Sequence, residues 1–298
     1  MNNIKNVFSI KDLENLTGIK AHTIRIWEKR YNILEPMRTE TNIRLYDVEN
    51  LQKLLNITLL HKHGYKISNI SKLPDNKIPK LVNDIISDKS VKNHAISSFK
   101  MAMMNFDQVL FLNTYDKLFS EKSFREIFID VIIPFIIETG FLWQTNTISV
   151  AHEHFISNLI RQKLLINTEK LQYNQNIRKD NVFVLYLPKG EIHELGLMYL
   201  NYEIQLSGYK TIYLGESVPT ESLKDVKKYF DKITYVCYMT VEPNRAAVNN
   251  YIIEINKEVL TDNSNFWIIG RMVESIDANL VPEKMTLFTS LQDIVALL

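Results

Sequence analysis

The sequence predicts a multidomain chain. A winged helix-turn-helix (α with a small β-wing) comes first, then a helical bundle, then a Rossmann-like, flavodoxin-like five-stranded parallel sheet. Three observations predict this order. Residues 1–74 carry 12 Lys+Arg against 7 Asp+Glu, a balance of +5, whereas the remainder carries 23 against 27. From Lys80 to about Tyr173 apolar residues recur at helical spacing, with no strand-like alternation. From Val182 onward short apolar runs alternate with helical stretches, the pattern of a parallel sheet covered on both faces. The expected boundaries are 1–74, 75–176 and 177–298.

Composition narrows the class of molecule. The 298 residues are 46% hydrophobic and 23% charged, enough to bury a sizeable core. No apolar run reaches membrane-spanning length, and Met1 to Asn6 lacks the hydrophobic core of a signal peptide, so a soluble, cytoplasmic protein is expected. The single cysteine, Cys237, excludes an internal disulfide and a cysteine-based zinc site. A basic first quarter on a neutral-to-acidic body points to nucleic acid as the partner of the N-terminus. No nucleophile–base constellation or suitably set carboxylate pair stands out, so an enzyme is not expected.

In the first part, Ser9-Ile10-Lys11-Asp12-Leu13 opens like a capped helix, with Ile10, Leu13 and Leu16 at helical spacing. Thr17-Gly18 ends it, and a second helix is predicted from about Ala21 to Tyr31. Two short helices joined by a glycine-containing turn make a helix-turn-helix. Met37 to Tyr46, polar and with Arg38 and Arg44, fits a β-wing. Asp47 caps a helix over Val48 to about His63, and Ile67 to Leu73 gives one more.

The run Ile24-Arg25-Ile26-Trp27-Glu28-Lys29-Arg30-Tyr31, followed by Pro36-x-Arg38 and Arg44-x-Tyr46, resembles the MerR family of winged-helix transcription regulators over residues 8–74. The resemblance implies binding to double-stranded operator DNA, with the second helix in the major groove. His22, Thr23 and Arg25 are then the groove-facing candidates. Trp27, Arg30, Arg38, Arg44 and Tyr46 are candidates for backbone contact and wing anchoring, with core packing an equal reading for Tyr46 and for part of Trp27.

Pro74 to Pro79 reads as a hinge. Helical stretches follow at Ile78–Ser87, Lys92–Met104, Phe106–Phe119, Ser123–Thr139 and Ile148–Leu171, a bundle of about four to five helices. Pro134 is expected to kink one of them. Trp143 is followed, after nine residues, by Glu153-His154; helical geometry sets those two about 100° apart, so both can flank one pocket. His152 and His154 are not spaced for a helical zinc site.

In the last part strands fit Val182–Leu187, Thr211–Leu214, Thr234–Met239, Phe266–Ile269 and Met285–Phe288. Helices fit His193–Leu206, Glu221–Phe230, Arg245–Leu260, Val273–Ala278 and Leu291–Leu297. The turn Glu191-Ile192-His193-Glu194-Leu195-Gly196 leaves the first strand at its carboxyl end, where open α/β sheets bind ligands. Glu191 can take the Nδ1 proton of His193, which fixes the tautomer and raises the basicity of Nε2 for a metal. Gly196 removes a side chain where something bulky approaches the backbone.

This turn resembles the D/E-x-H-x-x-G signature of cobalamin-binding domains. The Trp143/Glu153/His154 pattern resembles the bundle cap of the cobalamin-dependent, light-sensing MerR regulators, the CarH or LitR group. What the resemblance implies is a repressor governed by adenosylcobalamin and by light, with His193 the lower axial ligand of cobalt. Trp143, Glu153 and His154 would shelter the adenosyl group, and the copies would assemble as a dimer or tetramer. Glu191, Gly196, Gly215, Thr240 and Gly270 complete the expected cofactor contacts; Cys237 is the alternative to Thr240 for the small residue after the third strand. Two departures stand out. Gln144 replaces a histidine expected beside the tryptophan, and Arg271 replaces the second glycine of a Gly-Gly pair. They motivate a second reading, a regulator that has lost cobalamin and answers to a protein antagonist or another ligand. A third, a corrinoid-carrying methyltransferase subunit, is opposed by the first 74 residues.

Overall fold

A computed structural model describes residues 7–84, 88–173 and 178–298. The chain forms two compact units, Met1–Leu159 and Ile160–Leu298.

The first unit opens with β1 (Val7–Phe8), α1 (Ile10–Thr17) and α2 (Ala21–Tyr31). Ser9 and Asp12 close a reciprocal capping box on α1, and Gly18 ends it in the left-handed conformation at φ 76°. β2 (Met37–Arg38) and β3 (Arg44–Asp47) form the wing, with β3 central between β1 and β2 and antiparallel to both. Asp47 accepts the Asn50 N–H at 2.8 Å and starts α3 (Val48–Lys62); α4 (Ile67–Ile70) follows. Phe8, Leu13, Leu16, Ile24, Tyr46 and Leu51 are buried at its core.

Helices continue with α5 (Ile78–Asp84), α6 (Asp88–Asn105), α7 (Gln108–Phe119), α8 (Phe124–Ile127), α9 (Ile133–Gln144) and α10 (Val150–Gln172). The segment expected as a hinge is a 3-10 turn (Asp75–Lys77) running directly into α5, because Pro79 falls in the first turn, where its missing N–H costs nothing. The end of the predicted 78–87 helix lies partly outside the described residues. A π turn, Phe128–Ile132, precedes Pro134, which sits in the first turn of α9 rather than inside a helix, as the expected kink required.

α1 is fastened to the bundle. Asn15 Nδ2 donates to Thr147 Oγ1 at 2.9 Å, just beyond the end of α9. Lys100 of α6, largely buried, donates to the Leu16 carbonyl at 3.0 Å and pairs with the Glu138 carboxylate of α9.

The second unit holds a five-stranded sheet of order β5-β4-β6-β7-β8, all parallel: β4 (Arg178–Pro188), β5 (Tyr209–Val218), β6 (Ile233–Tyr238), β7 (Ser264–Ile269) and β8 (Met285–Phe288). The Val182–Leu187 run is buried on both faces. Val184 and Tyr186 join the core under α13 (Val248–Glu258), while Phe183, Leu185 and Leu187 join the core under α11 (Leu195–Leu206). Each such buried side chain contributes about 1.5–3 kcal/mol. α12 (Thr220–Val226) and α14 (Leu291–Val295) complete the layers. The helix expected over Val273–Ala278 is instead a pair of short 3-10 turns, Arg271–Ser275 and Ala278–Leu280, in a β7–β8 connection that Pro282 closes before a full α-helix develops.

Candidate functional site

In the first unit, α2 presents His22, Arg25, Lys29 and Arg30 to solvent, with Thr23 half-buried beside them. His22, Arg25 and Lys29 follow helical spacing, so one face carries them. Ile24 and Trp27 point inward, and Trp27 meets the edge of His61 at 5.2 Å between ring centroids. On the wing, Arg38 is exposed and donates to Asn42 Oδ1 at 2.6 Å. Arg44 and Tyr46 turn back toward α2. Arg44 Nε donates to Glu28 Oε1 and Tyr46 Oη to Glu28 Oε2, both at 2.9 Å. Burial, then the Glu28 bond, pushes the Tyr46 phenol far above its ordinary range, so it stays a donor. Glu28 therefore clamps the wing to α2, a role no pattern in the sequence marks, because its partners lie 16 and 18 residues away.

In the bundle, Trp143 lies in the last turn of α9 and is 51% exposed; Gln144, which ends the helix, is exposed too. At the start of α10, Glu153 Oε2 accepts from His154 Nδ1 at 2.5 Å, and Glu153 Oε1 accepts from Ser157 at 2.6 Å. His154 is exposed, whereas His152 is buried, stacked on Phe106 at 4.6 Å and bonded through Nδ1 to Ser149 at 2.8 Å. That burial takes His152 away from the exposed surface that Trp143 and Gln144 occupy.

In the second unit the turn after β4 is built around Glu191, whose side chain is 0% exposed. Oε1 accepts the N–H groups of Ile192 at 2.9 Å and His193 at 3.0 Å, and the His193 Nδ1 proton at 2.5 Å. Oε2 accepts three consecutive N–H groups from the turn after β6: Thr240 at 2.9 Å, Val241 at 2.6 Å and Glu242 at 3.0 Å. Burial pushes the carboxyl up; the His193 ring and the backbone donors outweigh it and hold the group well below the ordinary carboxylate range. One ionised carboxylate thus ties two turns together and fixes the His193 tautomer, with Nε2 the basic nitrogen on a ring whose side chain is 55% exposed. Next to it, Glu194 takes Arg161 Nη2 at 2.8 Å and Tyr213 Oη at 3.0 Å, anchoring the start of α11.

The glycines have local causes. Gly215, at φ 82°, sits where the β4–β5 register slips, and Gly270, at φ 115°, faces the Met239 carbonyl, which a Cβ would meet at 2.3 Å. At Gly196 a Cβ would lie 2.5 Å from the Tyr238 ring, so the bulky group approaching this backbone is Tyr238. Thr240 contributes its N–H to Glu191, and Cys237 is buried beside Tyr186 and Tyr251. Arg271 is exposed. The histidine half of the site fits a macrocycle-bound metal needing one axial nitrogen; the space beside Gly196 is filled by a side chain of the protein itself.

A winged helix-turn-helix with a basic outer face is thus followed by a helical bundle and a doubly wound sheet that carries an exposed histidine at its carboxyl edge, the architecture of a DNA-binding regulator with a ligand-binding-type body. Residues 8–77 match the MerR HTH family regulatory proteins, and residues 95–166 match the B12 binding domain. The chain is 26% identical to the HTH-type transcriptional repressor CarH of Myxococcus xanthus over 226 residues, covering 72% of this chain and 73% of that protein. It is 25% identical to the HTH-type transcriptional repressor CarA of the same organism over 218 residues, covering 72% and 70%. The fold resembles that of the Methanosarcina barkeri monomethylamine corrinoid protein, with a TM-score of 0.57 at 13% identity, over 70% of this chain and 97% of that one. The chain thus joins a region like the MerR HTH regulators to a region like the B12 binding domain, in the order shared with two transcriptional repressors. No described helix is long and apolar enough to cross a membrane.

Proposed function

We propose that the chain is a cytoplasmic transcriptional repressor whose assembly and operator binding follow the state of bound adenosylcobalamin, and through it light. The observation that carries this reading is the Glu191–His193 pair, a buried carboxylate holding a histidine in the tautomer an axial metal ligand requires. Adenosylcobalamin supplies a light-labile cobalt–carbon bond. His193 would hold the cobalt through Nε2, and Trp143, Glu153 and His154 would shelter the adenosyl group. The ionised Glu191 keeps the proton on Nδ1, while Glu153 and His154 offer hydrogen bonds to a polar ligand group. His22, Thr23 and Arg25 would face base edges, and Arg30 and Arg38 phosphates. On this reading the protein acts by binding, with double-stranded DNA and further copies of itself as partners.

Purification with adenosylcobalamin in the dark tests the reading. The protein is expected to retain the cofactor through gel filtration, and illumination to change both its absorbance and its elution volume. His193→Ala should weaken retention by about tenfold or more. Equal retention by the variant sinks the axial assignment.

The two kinds of arginine should separate in titrations of a selected operator duplex. Arg25→Ala is expected to cost about 1–3 kcal/mol and to relax sequence preference, whereas Arg38→Ala weakens binding uniformly and lowers the salt slope by about 1. Matching salt slopes for wild type and Arg38→Ala would remove Arg38 from the phosphate contacts.

A further inference from the structure

The sheet order places β4 beside β6, and the helices that follow them leave toward opposite faces, α11 over one core and α13 over the other. The carboxyl ends of β4 and β6 therefore border the crevice at which such sheets admit ligands. In this chain the crevice holds a side chain. Tyr238, the last residue of β6, lays its ring against Gly196 in the first turn of α11, so closely that any Cβ there would meet Cε2 and Cζ at 2.5 Å and the hydroxyl at 2.8 Å. The ring packs with the core under α11, and burial, then the Glu191 charge, raises its phenol above the ordinary range. His193 lies three residues before Gly196, and Glu191 binds the turn that begins two residues after Tyr238.

A corrinoid held through cobalt by a protein histidine has its own lower nucleotide displaced, and that nucleotide hangs on the histidine's side of the ring. It must find room next to His193. We propose that Tyr238 determines which corrinoid this chain accepts. The phenol occupies the crevice, so a corrinoid bearing a bulky lower nucleotide must expel the ring, whereas one lacking the nucleotide binds against it. Selectivity of this kind is a difference set by a steric obstacle rather than by an added attraction. The inference rests on the corrinoid reading given above.

The test is a dark titration of the full chain, followed by absorbance, with adenosylcobalamin and with adenosylcobinamide, which lacks the lower nucleotide. Wild type is expected to bind the cobinamide at least as tightly as the cobalamin. Tyr238→Ala should bind cobalamin about tenfold tighter than wild type and cobinamide within about twofold, and Tyr238→Phe, which keeps the ring, should retain the wild-type ratio. Wild type preferring cobalamin by tenfold, or an unchanged ratio in Tyr238→Ala, overturns the inference while leaving corrinoid binding intact. Should Tyr238→Ala fail to fold, the wild-type ratio alone decides. Binding of neither corrinoid by wild type is the separate result that removes the corrinoid reading and the inference with it.

Discussion

Glu191→Ala is expected to destabilise the sheet-bearing unit by about 3 kcal/mol, since each buried N–H left without an acceptor costs about 1–3 kcal/mol and water can reach some of them. Six donors converge on that carboxylate, three from the turn after β6 and three from Ile192 and His193. In a thermal scan the loss corresponds to roughly 10 °C in Tm for a unit of this size. Glu191→Gln should fall between, because its amide keeps one acceptor oxygen and turns an NH2 toward donors. The acid limb offers a second readout. The folded-state carboxyl titrates below the unfolded value of 4.5, so the unfolded chain takes up the proton first. Its stabilisation is complete above that value and disappears as pH falls through the lower folded one. Glu191→Gln should therefore flatten the stability profile below about pH 4.5. A wild-type steepness in that variant would show that the carboxylate does not govern acid unfolding.

Glu28→Ala is expected to weaken operator binding by about tenfold and to cost about 1–3 kcal/mol of stability, even though it removes a negative charge from a DNA-facing module. Screened electrostatics alone would give the opposite sign. The clamp explains the difference: without Glu28 the Tyr46 hydroxyl is left in the core with no acceptor, and Arg44 loses the partner that draws the wing onto α2. Tyr46→Phe added to Glu28→Ala should recover part of the stability, because a hydroxyl with no acceptor is then absent, but not the binding, because the wing remains unclamped. Denaturant midpoints and duplex titrations on both variants check this. Tighter DNA binding by Glu28→Ala at unchanged stability would remove the clamp.

The sequence made visible what is local. Ser9 with Asp12, Gly18, and Asp47 before Val48 announce helix ends through contacts of three or four residues, and the structure places α1, α2 and α3 where those signals predict. The apolar runs of the sheet are legible because both faces of a parallel strand are buried. The Glu191–His193 contact spans two residues and is legible because it is local. What stayed hidden is long-range. The three donors from Thr240 to Glu242 lie about 50 residues from Glu191, and the Tyr238 ring reaches Gly196 only because β4 and β6 are neighbours in the sheet. A glycine announces that something approaches, not what. The prolines near residue 74 misled for a different reason: Pro79 suits the first turn of a helix as well as it suits a linker.

The fastening of α1 through Asn15, Leu16, Thr147 and Lys100 bears on how DNA is measured out. A reading helix on a free tether samples many positions, and two such helices tolerate many separations between the sequences they read. Here α2 rides on a module bolted to its own bundle, so in any pair of copies the gap between reading helices is inherited from how the bodies meet. B-DNA returns the same groove face about every 10 base pairs, and half a turn more puts the second site on the far side. If copies pair on an operator as proposed, the seam at α1 would turn the spacing of its half-sites into a matter of helical phase, with protein assembly as its ruler.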